Sequence, residues 1–243
     1  MAKPVLELRR AMSEDYHYEE AVKTLRTNLQ FCGRSIKVIM VTSALPDEGK
    51  SDISFALAQS LAQIGRRTLL VDGDIRKSVL PARYQIEQEV NGLSQFLSGQ
   101  RELEEIIYET SEENLSVIFS GPYSPNPSEL LEDEACGRMF EALRIGYDCI
   151  IVDTPPMASL ADGAIIAKRC DGVLLVIESN AISYRLEQKV KSQLEKTGCR
   201  ILGAVLNKVD IQGKGYYGKY GKYGKYGKYG RYSHYKADRE SGR

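Results

Sequence analysis

No stretch of eighteen consecutive apolar residues occurs in the 243-residue chain, so a transmembrane helix is not expected. The opening MAKPVLELRR also lacks the apolar core of a signal peptide. Cysteine is sparse and odd in number: Cys32, Cys136, Cys149, Cys170 and Cys199 are widely spaced and mostly lie inside apolar stretches. That pattern fits buried free thiols in a reducing compartment and excludes a disulfide or zinc framework. A cytoplasmic protein is expected. Net charge is absent as well, with a formal value of zero, but the charges are unevenly placed. From Ile211 to Arg243 there are nine Lys/Arg against two Asp/Glu, a net +7, so residues 1–210 carry −7. A basic tail and an acidic body attract each other, within one chain or between neighbours.

An apolar content of 42% and this length allow one domain with a sizeable core, or two small ones. Residues 1–14 read as a loose leader. Tyr16 to Cys32 places Ala21, Leu25, Leu29 and Cys32 on one face of an amphipathic helix. Short apolar runs follow, each with the length and β-branched content of a buried strand: VIMVTS (38–43), TLLVD (68–72), LSVIFS (115–120), CIIVD (149–153), GVLLVIE (172–178) and ILGAVLN (201–207). Helix-like segments separate most of them, at Ser51–Ile64, Ser128–Arg144, Leu160–Lys168 and Tyr184–Thr197. This alternation predicts an α/β fold, a mostly parallel twisted sheet with helices on both faces. Periodicity stops after Asp210. Residues 211–243 are expected to be a disordered tail, with Gly at every third position from Gly215 to Gly230 and no proline to suggest collagen.

The first strand runs into ALPDEGKS, Ala44 to Ser51, and then into a helix. That is the setting of a P-loop, although it opens with Ala where the usual pattern has Gly. In a P-loop, backbone N–H groups surround the phosphates, the lysine reaches the β- and γ-phosphates, and the following hydroxyl ligates Mg²⁺. Lys50 and Ser51 hold those positions, with Asp47, Glu48, Gly49 and Asp52 beside them. Two further strands end in carboxylates: Asp72 and Asp74 in LLVDGDIR, and Asp153 in IIVDTPP. Strand C-termini of an open parallel sheet line its ligand crevice. Carboxylates there can hold Mg²⁺ through water or accept a proton. A single Asp after a strand is often only a helix N-cap.

Together, ALPDEGKS, LLVDGDIR and IIVDTPP resemble the Walker A, second Walker and Walker B motifs of the bacterial tyrosine kinases of capsule and exopolysaccharide synthesis. EEAVKTLRTNLQF, the Pro125–Leu131 segment PNPSELL, GAVLNKV and a C-terminal tyrosine cluster extend the resemblance along nearly the whole chain. It implies a P-loop fold of the site-determining ATPase type, a kinase domain at 15–210, and ATP and Mg²⁺ as cofactors. It also implies that Lys50 and Gly49 bind phosphate, while Ser51, Asp74 and Asp153 hold magnesium. Asp72 would take the phenolic proton, a role that Asp74 could exchange with it. Asn207 would contact adenine, and Arg76 would touch phosphate or a neighbouring subunit. Tyr216, Tyr217, Tyr220, Tyr223, Tyr226, Tyr229, Tyr232 and Tyr235 would be the phosphorylation sites. Glu20, Lys23 and Arg26 match the family's ring-forming Glu-x-x-Arg-x-x-Arg, with Lys in place of the first Arg. The further partners implied are a transmembrane modulator that recruits the kinase to the inner face of the membrane, and a tyrosine phosphatase.

Two other readings compete. A deviant-Walker partitioning ATPase would share the sheet and the aspartates, but it carries a second lysine early in its P-loop, which ALPDEGKS lacks. The tail could alternatively bind nucleic acid or anionic lipid through its interleaved Lys and Tyr. That role fits the tyrosine row less well than phosphorylation does, so a nucleic-acid partner is not expected.

Overall fold

The computed structural model describes residues 5–8, 16–86, 88–158 and 161–210. The expected tail with its eight tyrosines, most of the expected leader, and Leu160 at the start of one expected helix lie outside the described residues. In chain order the elements are α1 (Tyr16–Gln30), β1 (Val38–Ser43), α2 (Lys50–Ala62), β2 (Thr68–Asp72), α3 (Leu80–Arg83), α4 (Leu93–Leu97), α5 (Leu103–Ile106), β3 (Ile107–Glu109), β4 (Leu115–Ile118), α6 (Pro127–Glu132), α7 (Glu134–Gly146), β5 (Cys149–Asp153), α8 (Asp162–Ala167), β6 (Gly172–Glu178), α9 (Tyr184–Lys196) and β7 (Ile201–Asn207). The strands form one sheet in the order β3-β4-β2-β5-β1-β6-β7. Every neighbouring pair is parallel except β3–β4. The fold class read from the sequence is the one observed. No helix among the described residues is long and apolar enough to cross a membrane.

The sheet's centre is buried on both faces, which explains the continuous apolar runs of β1, β2 and β5. Successive side chains point to opposite faces. Ile39, Val41, Leu70 and Ile151 therefore join Phe55, Leu57 and Leu61 of α2, while Val38, Leu69, Val71, Ile150 and Val152 join Met139, Phe140 and Leu143 of α7. Met40, Val173 and Leu175 meet Val190 and Leu194 of α9 in a third cluster. α2 is buried almost all round, which fixes the helix that starts at the P-loop.

Three expectations need correction in detail. The stretch Ser128–Arg144 is two helices, because Asp133 breaks it: its carboxylate accepts from the Ala135 N–H at 2.7 Å and caps α7. The buried face of α1 runs through Val22, Leu25, Arg26 and Leu29, with Ala21 exposed, and the helix stops at Gln30. Within the expected loose leader, Leu6 is buried and its backbone bridges β3, with the Leu6 N–H donating to the Glu109 carbonyl at 2.9 Å. An apolar side chain at an otherwise open sheet edge explains that anchor. All five cysteines are free: Cys136 and Cys149 are buried, and the other three half-buried.

Arg26 joins α1 to α2. Its guanidinium donates to the Ser60 carbonyl at 2.8 Å and to the Ser60 hydroxyl at 2.9 Å. Arg26→Ala would leave those acceptors without their donor, so urea unfolding should show about 1–3 kcal/mol lower stability. Lys23→Ala, which loses only an exposed pair with Glu20 at 2.8 Å, should change stability by less than about 0.5 kcal/mol.

Candidate active site

The site lies where β1, β2 and β5 end together. Register pairs Asp72 directly with Asp153, so the two carboxylates stand side by side at adjacent strand ends. The P-loop leaves the next strand, β1, and turns into α2 at Gly49. Gly49 has φ +90°, a conformation that favours glycine, and a Cβ there would lie 2.1 Å from the Asn207 amide nitrogen. Gly73, between the two aspartates, is fixed by close approach instead. Its N–H donates to the Asp153 carbonyl at 2.7 Å, and a Cβ would come within 2.9 Å of the same oxygen.

Each acidic side chain is held from several directions. Asp72 is fully buried; it accepts from the Ser78 hydroxyl, from the Ser120 N–H at 3.3 Å and from the Asp74 N–H at 3.3 Å. Burial pushes its carboxyl up to about 7. The Ser78 hydrogen bond opposes that rise, and the Asp153 and Asp74 charges add to it. Asp153 is 2% exposed and is raised by burial too; the Lys50 charge and hydrogen bonds from Ser51 and Ser54 oppose the rise. Ser54 Oγ lies 3.1 Å from Asp153 Oδ1 and 2.9 Å from the Lys50 carbonyl. Lys50 Nζ stands 3.3 Å from Ser51 Oγ. Asp74 closes its own turn, accepting from Arg76 N–H at 3.3 Å and Lys77 N–H at 2.9 Å on one oxygen. Two buried carboxylates beside a lysine at a helix N-terminus form a site that favours a cation between them and an anion in front.

The family model for an AAA domain matches residues 36–198. A tyrosine-protein kinase of Streptococcus agalactiae, CpsD, is 43% identical over 192 residues, which cover 79% of this chain and 83% of that one. The kinase domain of the Escherichia coli tyrosine kinase ETK superposes with a TM-score of 0.77 at 33% identity, over 81% of this chain and 78% of the other. The chain belongs to the bacterial tyrosine-protein kinases. A more distant structure is the septum site-determining protein MinD of Pyrococcus horikoshii complexed with Mg-ADP, with a TM-score of 0.61 and 26% identity over 70% of this chain and 69% of that one.

In this kinase several motif residues do work other than contacting ligand. The Glu48 carboxylate turns inward, 2% exposed, and accepts from the Leu45 N–H at 2.7 Å and the Glu178 N–H at 3.2 Å. It braces the P-loop from behind. Asn207 donates its amide to the Glu48 carbonyl at 2.9 Å, so it too clamps the loop. Arg76 is engaged within its own chain. Its guanidinium forks onto the buried Asp162, with one contact at 3.0 Å, and donates to Ser128 Oγ at 2.9 Å; Ser128 Oγ in turn lies 2.7 Å from Asp162. The PNPSELL segment thus supplies Ser128 to a network that anchors the Asp72–Asp74 turn. Ser54, Ser78, Ser120, Arg83 and Asp162 were not singled out in the sequence.

Asp52, the extra acid after Ser51, pairs with Arg83 of α3 at 2.8 Å. Removing that arginine should take away a positive charge that offsets a carboxylate next to the site and raise the KM for ATP several-fold with kcat little changed. The Asp52→Asn/Arg83→Ala double variant should recover the wild-type KM. Steady-state kinetics on the four proteins checks this.

Proposed function

We propose that the kinase transfers the γ-phosphoryl group of Mg²⁺-ATP to the tyrosines of its own tail, from the site at the ends of β1, β2 and β5. The observation that carries this is the register pairing of Asp72 with Asp153 beside Lys50 and Ser51. Among the described residues no three acidic, His or Cys side chains converge to hold a metal by themselves. That suits Mg²⁺, which keeps waters and phosphates in its shell and needs only one or two protein ligands. Ser51, Asp74 and Asp153 would hold it, partly through water. The ion would neutralise charge on the phosphates. Lys50 and the backbone N–H groups of Asp47 to Ser51 would bind the phosphates, with Asp52 beside them and Asn207 near the base.

Asp72 would accept the phenolic proton, a role that Asp74 could exchange with it. Asp72 is buried and braced by Ser78, so it is pre-positioned. The transition state of phosphoryl transfer is loose, so positioning and charge neutralisation supply most of the rate. The acceptors are Tyr216, Tyr217, Tyr220, Tyr223, Tyr226, Tyr229, Tyr232 and Tyr235, in a tail at 211–243 that follows a kinase domain at 15–210. Glycines between them keep such a segment extended, and its lysines are attracted to an acidic body. The tail of one subunit would enter the site of the next in a ring. Glu20 and Lys23, exposed and paired on α1, and Arg26 beside them would lie at that contact. A transmembrane modulator would recruit and activate the kinase at the inner face of the membrane, a phosphatase would reset it, and the pathway served would be capsule or exopolysaccharide synthesis. The family resemblance supports these partners.

The test is mass spectrometry of tail peptides after incubation with Mg²⁺-ATP and the modulator's cytoplasmic segment. Phosphate on the tail tyrosines is expected. ATP turnover with unmodified tyrosines would instead favour a partitioning-type ATPase.

A further inference from the structure

A cavity of about 560 Å³ opens at the end of the sheet opposite the P-loop. It lies between the C-terminal ends of α1 and α2 and the first residues of the central strands. Leu29, Ile36, Ile39 and Leu61 give it apolar walls, and Arg34 and Arg66 stand at its rim. Cys149, the first residue of β5, closes one side. Burial pushes the Cys149 thiol up to about 12, and the Arg66 charge opposes that rise.

The charges at the rim do not cancel. Asp148, which also lines the cavity, is matched by Arg67, whose N–H donates to it at 3.0 Å and whose guanidinium lies at 3.7 Å. Lys37 directs its ammonium at the carbonyls of Arg144 and Tyr147, at 2.9 and 3.4 Å. Among the described residues, neither Arg34 nor Arg66 has an ion-pair partner. The cavity therefore joins apolar walls to two uncompensated guanidinium groups. Its volume falls within the range of small-molecule sites, about 300–1,000 Å³. An inorganic anion would leave the walls unused, and an uncharged apolar ligand would leave the arginines unused. Guanidinium groups match carboxylate and phosphate geometry.

We propose that this cavity binds a small organic phosphate or carboxylate with an apolar body, its anionic head between Arg34 and Arg66 and its body against Leu29, Ile36, Ile39 and Leu61. The position is far from the nucleotide site by topology. β1, β2 and β5 begin at this end and carry the P-loop, Asp72 and Asp153 at the other. The inference does not depend on the proposed kinase chemistry.

Titration of the full chain with octyl phosphate, by calorimetry and with Mg²⁺-ADP present to fill the P-loop, tests it. Saturable one-to-one binding is expected. Arg34→Ala/Arg66→Ala should weaken it at least about tenfold, since each lost charged hydrogen bond is worth that order. Both arginines are exposed, so that variant should melt as the wild type does. Ile36→Trp, which fills the half-buried rim, should abolish binding. Octyltrimethylammonium, with the same body and the opposite charge, should not bind. Hydrogen exchange should show protection at residues 29–36 and 61–67. No binding by the wild type, equal affinity in the double arginine variant, equal binding of the ammonium compound, or protection confined to residues 44–54 would each overturn the proposal.

Discussion

Asp72→Asn is expected to slow tyrosine phosphorylation by about 10²–10⁴-fold, the usual contribution of a positioned base, and in the same protein to favour folding at alkaline pH. The loss follows from removing the proposed proton acceptor. The gain follows from where the carboxyl sits. Buried and beside Asp153, it has a folded pKa of about 7 against 3.8 for an ordinary aspartate. A carboxyl raised on folding binds its proton more tightly in the native state. The stability it contributes is therefore greatest below the ordinary value and falls as pH rises toward 7. Above that, the ionised group is a burden of roughly 4 kcal/mol, taking about 1.36 kcal/mol per unit. Asn retains an oxygen for the Ser78 hydroxyl and the Ser120 N–H, and exchanges only the oxygen facing the Asp74 N–H at 3.3 Å. Nucleotide-free melting temperatures at pH 5 and pH 8 check this. The variant's advantage over wild type should be larger at pH 8; an equal or smaller difference there would mean that Asp72 is already ionised well below 7.

Asp162→Ala should be the most damaging change away from the nucleotide. Asp162 is 2% exposed in its side chain, and its partner Arg76 is 33% exposed. Removing one member of a buried ion pair costs about 3–5 kcal/mol. Because Arg76 can turn partly to water, a loss of roughly 2–3 kcal/mol is expected here. Ser128 loses its acceptor at the same time. Ser128→Ala alone removes two hydrogen bonds, one donated to Asp162 and one accepted from Arg76, but leaves the ion pair in place, and should cost about 1–2 kcal/mol. Urea denaturation of the two variants gives the comparison. Phosphorylation should also slow in Asp162→Ala, because Arg76 N–H is one of the two donors that shape the Asp74 turn.

The strands that build the site were legible because a sheet buried on both faces requires unbroken apolar, β-branched runs. Their ends were legible because Asp72 and Asp153 interrupt those runs abruptly. What surrounds them was not. Ser128 and Asp162 lie 52 and 86 residues from Arg76, and a network of that span leaves no local period. Ser78 is six residues beyond Asp72 in an irregular turn, where hydrophobic patterning carries no information. Asp133 could have been found: an Asp followed by Glu-Ala at the start of a second apolar period is an N-cap signal. Leu25 and Leu29 of α1, and Cys32 just beyond it, pack against the core as expected; Val22 takes the place given to Ala21, and Arg26, a charged residue, supplies part of the contact by hydrogen bonding to Ser60. Glu48 and Asn207 were recognised by position, but the inward turn of Glu48 depends on the N–H groups of Leu45 and of Glu178 in β6, and Asn207 acts through the Glu48 carbonyl.

The most direct test mixes two proteins and reads intact mass. One is the Lys50→Met chain, which keeps its tail and loses the lysine proposed to bind phosphate. The other is truncated after Asp210, which keeps the site and loses the tail. With Mg²⁺-ATP and the modulator segment, the Lys50→Met chain should gain phosphates on tyrosine, and neither protein should do so alone. Phosphate on the Lys50→Met chain in the absence of its partner, or ATP hydrolysis by the mixture with no phosphotyrosine, would contradict a kinase that acts between chains on its own tail.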